Sequence, residues 1–392
     1  MVAISQQIPD VVVIGAGITG LAAALELAEF GVSVEVIETY RPAAMASGWT
    51  LAGVRQSGRD LAELPLALSA VKQWSGLSTK LGKDTEYRQE GNLRLARTEA
   101  EADSLKQMCR TQEDAGLPIS YLTDLVDIRK IAPPLSNSVM AATFCPSDGH
   151  ANPIATAEGY TKSCESLGVR FSFGEGVKSL EAFGGQLVAV KTNKRKVSCG
   201  AVLAAPGILV NTLLDPFGIS IPLRRPMVTV LRSAPIAPIL KPVLGVANAD
   251  LAVRQEVSGR LRVTSGAEDW DGQVEHRNDM PVIHPRARSV RATIEKVANV
   301  LPAFSEVEIE QIWAGALDLT PDALPVIDKV PGLSNLVVAA GFSGHGFGIG
   351  PVTGPLAAQL LAGREPEHCL AAFSFDRFNQ TDLADVPLTL HG

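Results

Sequence analysis

The chain has 392 residues, longer than a single hydrophobic core usually serves, so two domains are expected. Its formal net charge of −7 speaks against a nucleic-acid partner, because phosphate binding needs a basic face. The five cysteines, Cys109, Cys145, Cys164, Cys199 and Cys369, are scattered, odd in number and form no Cys-x-x-Cys pair, which argues against a disulfide framework and against a zinc or iron–sulfur site.

Met1 to Pro9 lacks the basic start and apolar core of a signal peptide, and no uninterrupted apolar run reaches membrane-spanning length. A soluble protein in a reducing cytoplasm is the expectation. Asp10 to Ile14 reads as a strand, Gly15-Ala16-Gly17-Ile18-Thr19-Gly20 as a glycine-rich turn, Leu21 to Ala28 as an alanine-rich helix, and Val34 to Glu38 as a second strand ending in an acid. In that order they make a dinucleotide-binding βαβ unit. Gly15 permits the tight turn, Gly17 lets backbone approach a pyrophosphate, and Gly20 lets the helix pack on the sheet. The diphosphate then rests on the helix N-terminus, where free N–H groups and the macrodipole stabilise anionic oxygen. Glu38 follows at close to the spacing of about 20 residues expected of the acid that holds the adenosine ribose. The motif leaves NAD and FAD both open.

Further along, Ala46 to Arg59 is a small-residue loop carrying Arg55 and Arg59, suited to lie against a flat ligand. Leu61 to Leu77 has helical spacing, Glu86 to Leu95 reads as a strand pair around Glu90-Gly91-Asn92, and Thr98 to Ala115 as an amphipathic helix stopped by Gly116. A loop marked by Pro133-Pro134 follows. Asp148 to Pro153 opens a helix Ile154 to Leu167, and then come strands Val169 to Phe173, Val177 to Ala182, Leu187 to Lys191 and Ala201 to Ala205. From Ile221 to Gly315 the chain turns β-rich, with one helix, Arg286 to Val300. Within it, Ala234 to Val253 is unusually apolar but is divided by three prolines and Lys241, so internal strand and loop are expected rather than a membrane contact. Leu336 to Ala340 is a strand, followed by Gly341-Phe342-Ser343-Gly344-His345-Gly346-Phe347-Gly348-Ile349-Gly350 and a helix from Pro351 to Leu361.

Four of these stretches together resemble the D-amino-acid oxidase superfamily of flavoproteins, in its glycine and sarcosine oxidase-like branch: Gly15 to Glu38, Ala204 to Gly207, Trp313 to Ile327 with Thr320-Pro321-Asp322, and Gly341 to Phe347. The resemblance implies an α/β fold, with an FAD-binding Rossmann-like domain (1–85, 145–220 and 316–392) and a second α+β substrate domain built on an antiparallel sheet (86–144 and 221–315). It implies FAD contacts from Gly15, Gly17, Ile18, Thr19, Gly20 and Glu38, from Thr50, Ala52 and Gly53, from Val177, from Ala205 and Gly207, and from Gly344, His345, Gly346, Phe347, Gly348 and Ile349. The activity it implies is oxidation of an amino-acid C–N bond by hydride transfer to flavin.

Sarcosine oxidases of the monomeric type attach FAD through a cysteine shortly before Thr-Pro-Asp. Gly315 and Ala316 stand there in this chain, which favours non-covalent FAD. The same enzymes carry a lysine after Gly-His-Gly-Phe to hold the substrate carboxylate; that position is Gly348, so the clamp must differ. The run Gly344 to Pro351 is closer to the flavin β subunits of opine oxidases and cyanide-forming glycine dehydrogenases, which implies a partner subunit with an electron-transfer centre as the alternative to dioxygen.

Arg55 and Arg254 are the candidates for bidentate carboxylate binding. His345 either faces flavin and substrate or satisfies a backbone carbonyl. Trp313 and His150 read as structural, and Asp322 as a turn cap with a flavin contact as the alternative.

Overall fold

The computed structural model describes residues 8–379. The first seven residues, and the tail from 380 that the sequence assigns to the cofactor domain, lie outside the described residues.

Two large sheets organise the chain. The first has six strands in the order Val326–Lys329, Leu336–Ala340, Ala201–Ala204, Val11–Ile14, Val34–Glu38, Arg170–Phe173. All neighbours are parallel except the first pair. Near-continuous Val/Ile/Leu/Ala runs suit strands covered on both faces. On one face lie the helices Ile18–Glu29, Leu64–Leu81, Pro153–Ser166 and Gly346–Leu361, around a core that includes Leu21, Trp74 and Leu356. On the other lies a three-stranded antiparallel sheet, Val177–Phe183, Gln186–Thr192 and Lys196–Ser198, packing Leu180, Leu187 and Val190 against Val12, Ile14 and Val338.

The second sheet has eight strands, in the order Ile309–Ala316, Met227–Pro235, Arg260–Glu268, Leu251–Gln255, Val243–Val246, Asn92–Ala96, Ala141–Cys145, Ser120–Leu122. It departs from the expected antiparallel sheet at one join, since Val243–Val246 runs parallel to Asn92–Ala96. The apolar stretch from Ala234 to Val253 is internal to this sheet. A helix, Ala287–Val300, covers one face. The α/β class with a Rossmann-like sheet and a second β-rich layer is therefore the observed one.

Three local expectations change. Glu86 to Leu95 yields one strand, because Arg88 pairs across to His150 and Gly91, at φ 90°, turns under the Phe144 ring. The stretch after Gly116, expected as loop, contributes two strands of the large sheet and the helix Leu125–Ile131, capped by Asp124. The last helix begins at Gly346 rather than Pro351, and Pro351 and Pro355 lie inside it. Each proline removes a backbone donor, a cost offset by packing against the first helix. A Cβ at Gly354 would stand 2.6 Å from Ala22 Cβ and from the Thr19 carbonyl, and one at Gly350 2.7 Å from Ile18. The two helices thus nest at backbone contact, with their N-termini on the same cavity.

Candidate active site

That cavity, about 470 Å³, runs from the N-terminal glycine turn to the large sheet and is bounded at its far end by the loop before the last helix. It is of the size that small-ligand sites usually have. At its near end Gly15 turns the chain at φ 98°, where a Cβ would meet the Ala205 carbonyl at 2.4 Å, so only glycine fits. Gly17 caps the first helix in extended conformation with no side chain of its own to satisfy the helix N–H groups. Ser47 Oγ accepts from Ile18 N at 3.0 Å. Glu38 is fixed by two backbone donors, Ala16 N–H at 2.7 Å and Tyr40 N–H at 2.9 Å. Burial pushes its carboxyl up, against those two donors, which pull it down.

Gly15, Gly17, Ile18, Thr19, Gly20, Glu38, Thr50, Gly53, Val177, Ala205, Gly207, Gly344, His345, Gly346 and Phe347 all line this one cavity, and so does Arg55. The residues fit a dinucleotide. At Gly53, Gly207 and Gly245 a Cβ would project where no atom stands within 4 Å, the room an extended flat ligand takes, while the helix start, where Gly17 brings no capping side chain, suits its diphosphate.

Four sequence candidates are not among the lining residues. Ala52 is buried behind the loop, its carbonyl accepting from Ala151 N–H. Ile349 is fully buried in the helix core. Gly348 is a packing position: its carbonyl accepts from the Trp74 indole at 2.7 Å, and a Cβ there would come within 2.9 Å of the Gly53 carbonyl. No side chain replaces the family lysine from this position. Arg254 is the fourth. Its guanidinium donates to His150 Nδ1 at 2.9 Å and lies 3.8 Å from Glu256, so it is spent inside the protein. A guanidinium only donates, so His150 must be neutral with its proton on Nε2. Burial and Arg254 hold its pKa well down.

Sequence reasoning passed over the charged floor of the cavity. Arg59 and Arg94 line it beside Arg55, both buried. Arg94 stands on the strand Asn92–Ala96, and burial with Arg59 nearby pushes it down to about 10, still cationic at neutral pH. Burial, Arg59 and Arg94 hold Arg55 well below its ordinary value. Two carboxylates face the three arginines. Asp148 accepts from Gln56 N–H at 2.7 Å and from the Ser57 amide and hydroxyl. Glu63 is fully buried, with Oε1 3.4 Å from Arg59 Nε and Oε2 3.1 Å from His345 Nδ1. Arg59 and Glu63 could have been suspected from their spacing of four next to the helix start; nothing marks Arg94 in the strand Asn92–Ala96, where it shares the cavity side with Asn92.

Asp318, not Asp322, is the acid of this segment that lines the cavity. Asp322 caps Leu324 N–H and pairs with Arg377 at 2.7 Å. Asp318 lines the cavity, accepts from Gly341 N–H at 2.8 Å, and is pushed up to about 6 by burial. A carboxyl whose pKa is higher folded than unfolded opposes folding when ionised: that cost is absent below about 4 and complete above about 6. Asp318→Asn, which keeps an acceptor for Gly341, should therefore raise stability in urea unfolding at pH 8 by up to about 3 kcal/mol and leave it unchanged at pH 4. Equal effects at both pH values would contradict this assignment. Trp313 packs, its indole donating to the Trp49 carbonyl at 3.4 Å with Arg262 over its ring.

Among the described residues no helix is long and apolar enough to cross a membrane, and no group of side chains could hold a metal ion.

Comparison with known proteins agrees with this geometry. Sarcosine oxidase subunit beta of Rhizobium meliloti (strain 1021) is 26% identical over 387 residues, covering 96% of this chain and 90% of its own. Glycine oxidase of Bacillus subtilis (strain 168) is 25% identical, covering 94% of this chain and 97% of its own. The crystal structure of L-proline dehydrogenase from P. horikoshii superposes with a TM-score of 0.87 at 26% identity, over 95% of this chain and 98% of that one. The model of the DAO family, FAD dependent oxidoreductase, matches residues 10–360. With its dinucleotide turn, the acid ending its second strand and a glycine-bounded cavity in one continuous arrangement, the chain belongs to that family and is an FAD-dependent oxidoreductase.

Proposed function

We propose that this protein oxidises the C–N bond of an amino acid, with secondary, N-alkylated amino acids of the sarcosine or opine type preferred. One observation carries the reading: the cavity that starts at the dinucleotide turn ends on three arginines, the buried Arg59 and Arg94 and the half-buried Arg55, and on His345. Three guanidiniums against two buried carboxylates leave a positive balance in a low-dielectric site, which a substrate carboxylate neutralises. The relatives' names, sarcosine oxidase and glycine oxidase, point to the same substrate class.

When bound, FAD supplies the two-electron acceptor for hydride from the carbon bearing nitrogen, and the resulting imine is hydrolysed by water. The chain's part is to hold and orient. Gly15, Gly17, Ile18, Thr19 and Gly20 receive the pyrophosphate, Glu38 the ribose, and Thr50, Gly53, Val177, Ala205 and Gly207 the length of the cofactor. The N–H groups of Gly346 and Phe347, at the N-terminus of the last helix, would stabilise negative charge on the ring. Arg55 holds the substrate carboxylate, with Arg59 and Arg94 beside it. Among the described residues no cysteine lines the cavity, and a Cβ at Gly315 would press on Trp49 at 3.1 Å, which supports non-covalent FAD.

The test is anaerobic addition of N-substituted and simple amino acids to the purified flavoprotein while the flavin absorbance is followed. Bleaching by an amino acid is expected; no bleaching across the panel overturns the reading. A second reading is favoured by the similarity to a subunit of sarcosine oxidase: the chain works in a heteromeric complex and passes electrons to a partner subunit. Peroxide formed from dioxygen by the purified chain with substrate would sink that alternative.

A further inference from the structure

Three residues that line the cavity each carry a buried polar atom with no hydrogen-bond partner: Asn92 Oδ1, Arg59 Nη1 and His345 Nε2, of which the last two belong to one charged cluster. Arg59 and His345 meet the same carboxylate, Arg59 as an ion pair and His345 through a hydrogen bond. Glu63, at 0% exposure, sits at the start of the helix Leu64–Leu81 and does not line the cavity; its Oε1 faces Arg59 Nε at 3.4 Å and its Oε2 faces His345 Nδ1 at 3.1 Å. Arg59 comes from the loop before that helix and His345 from the start of the last helix, so one carboxylate orients side chains from two separate parts of the chain.

The charges settle which hydrogen is where. Around His345 stand Glu63, Arg59 and Arg55, with Arg94, Asp148 and Asp318 in or beside the same cavity. Cations in close contact with Glu63 favour its ionised form, and its carboxyl is held down to about 2 despite burial. Burial and Arg59 disfavour a second cation, holding His345 down to about 4. An ionised carboxylate only accepts, so the hydrogen between Glu63 and His345 belongs to Nδ1. Nε2 is then a bare lone pair. Arg59 Nη1, by contrast, only donates.

The geometry points to Glu63 as a positioning residue that fixes His345 in the Nδ1–H tautomer, so that Nε2 takes the proton from the substrate's ammonium before oxidation while Arg59 Nη1 holds the carboxylate. This rests on the amino-acid reading of the site. An amino acid in water is a zwitterion whose nitrogen carries no lone pair, and its C–H cannot leave as hydride until the nitrogen can donate electrons to the carbon. In the proposed step one N–H bond of the ammonium breaks, its electron pair stays on nitrogen, and an Nε2–H bond forms; charge moves from amine to imidazole, and nothing is oxidised or reduced. Two features drive the transfer. The cationic floor lowers the affinity of the ammonium for its proton, and Glu63 stabilises the imidazolium as it forms. The carboxylate of the bound substrate, seated on the arginines, removes part of the repulsion that holds His345 low in the free enzyme.

The test uses the flavin-loaded full-length protein labelled with [15N]histidine, whose six histidines are few enough to resolve, with His345→Gln to assign the signal. Two-bond 15N–1H correlation spectra read the tautomer without any turnover. Wild-type His345 is expected neutral with hydrogen on Nδ1 at pH 7, and Glu63→Gln, which keeps the shape and removes the charge, to show a mixture of tautomers. Hydrogen on Nε2 or an imidazolium in the wild type overturns the role of Glu63, whatever the substrate. With an amino acid that bleaches the flavin, Glu63→Gln and His345→Gln should each slow anaerobic flavin reduction by about a hundredfold, with an altered pH profile, and the double variant should be no slower than the worse single one. Additive losses, or an unshifted profile, overturn the proton transfer. If the tautomer is as expected but no amino acid bleaches the flavin, the amino-acid reading falls with the amine as proton source, while the Glu63–His345 pair stands.

Discussion

Gly17→Val should give a colourless protein. Gly17 is the N-cap of the first helix, and a Cβ there would already come within 3.2 Å of Ser47 Oγ, which donates no room because it is tied to Ile18 N–H. Two further methyl groups would stand over the N-terminus of the helix. The diphosphate would lose its close approach to those N–H groups, and its charge would be left unsatisfied in a cavity of low polarity. A loss on the order of 4 kcal/mol, about three decades in Kd for FAD, is expected. The flavin-to-protein absorbance ratio after purification reads it directly, and titration of FAD into the apoprotein gives the magnitude. Because the Cβ also presses on Ser47 without FAD, the apoprotein should unfold slightly earlier than wild-type apoprotein, a loss well below that in FAD binding. A yellow protein with normal flavin content would refute the role given to Gly17.

Arg55→Ala is expected to act at the other end of the cavity and in the opposite way. Arg55 donates to the Ser57 carbonyl at 2.9 Å and shares a buried floor with Arg59 and Arg94. Losing one charge-assisted contact to a carboxylate costs roughly 1.5–3 kcal/mol, so the apparent KM for substrate should rise about tenfold to a hundredfold with flavin content unchanged. The substrate-free enzyme should meanwhile become slightly more stable, because three guanidiniums repel one another in a site awaiting an anion. Higher KM together with higher Tm is a pairing that simple loss of packing does not produce. If neither changes, the carboxylate is held elsewhere.

Why the sequence reveals the near end of this cavity so much better than the far end follows from the kind of interaction at each. The turn Gly15 to Gly20 is local: strand, glycines, helix and acid follow one another within thirty residues, so the motif is legible even though Gly15 and Gly17 are pressed by Ala205 and Ser47 from further along the chain. Arg94, Glu63 and Asp318 have no such local signature. Arg94 is one polar residue in Asn92–Ala96, and its place on the cavity depends on a strand order that joins Asn92–Ala96 to Val243–Val246 across 150 residues of chain. Glu63 looks like a surface acid before a helix until His345, from the last helix, is set against it. Arg254 errs in the other direction. A buried arginine on the substrate sheet is as sequence reasoning expects, but its partner, His150, comes from a strand pairing with Gly53–Val54 that no periodicity announces. The start of the last helix errs for an energetic reason: proline at the first turn is the usual signal, but contact of Gly350 and Gly354 with the first helix outweighs it.

That nesting also bears on how the chain acquires its cofactor. The first helix and the last lie in backbone contact although more than three hundred residues separate them, and the strand Val11–Ile14 is flanked by Ala201–Ala204, itself paired with Leu336–Ala340. On the ribosome, at about 5–20 residues per second, the N-terminal unit therefore waits tens of seconds with one side of its helix uncovered before its partner emerges. Contacts of such sequence separation also slow folding. The glycine turn, first to be made, is among the last to be finished, so FAD should enter late, as the closing event of biosynthesis rather than a nucleus for it.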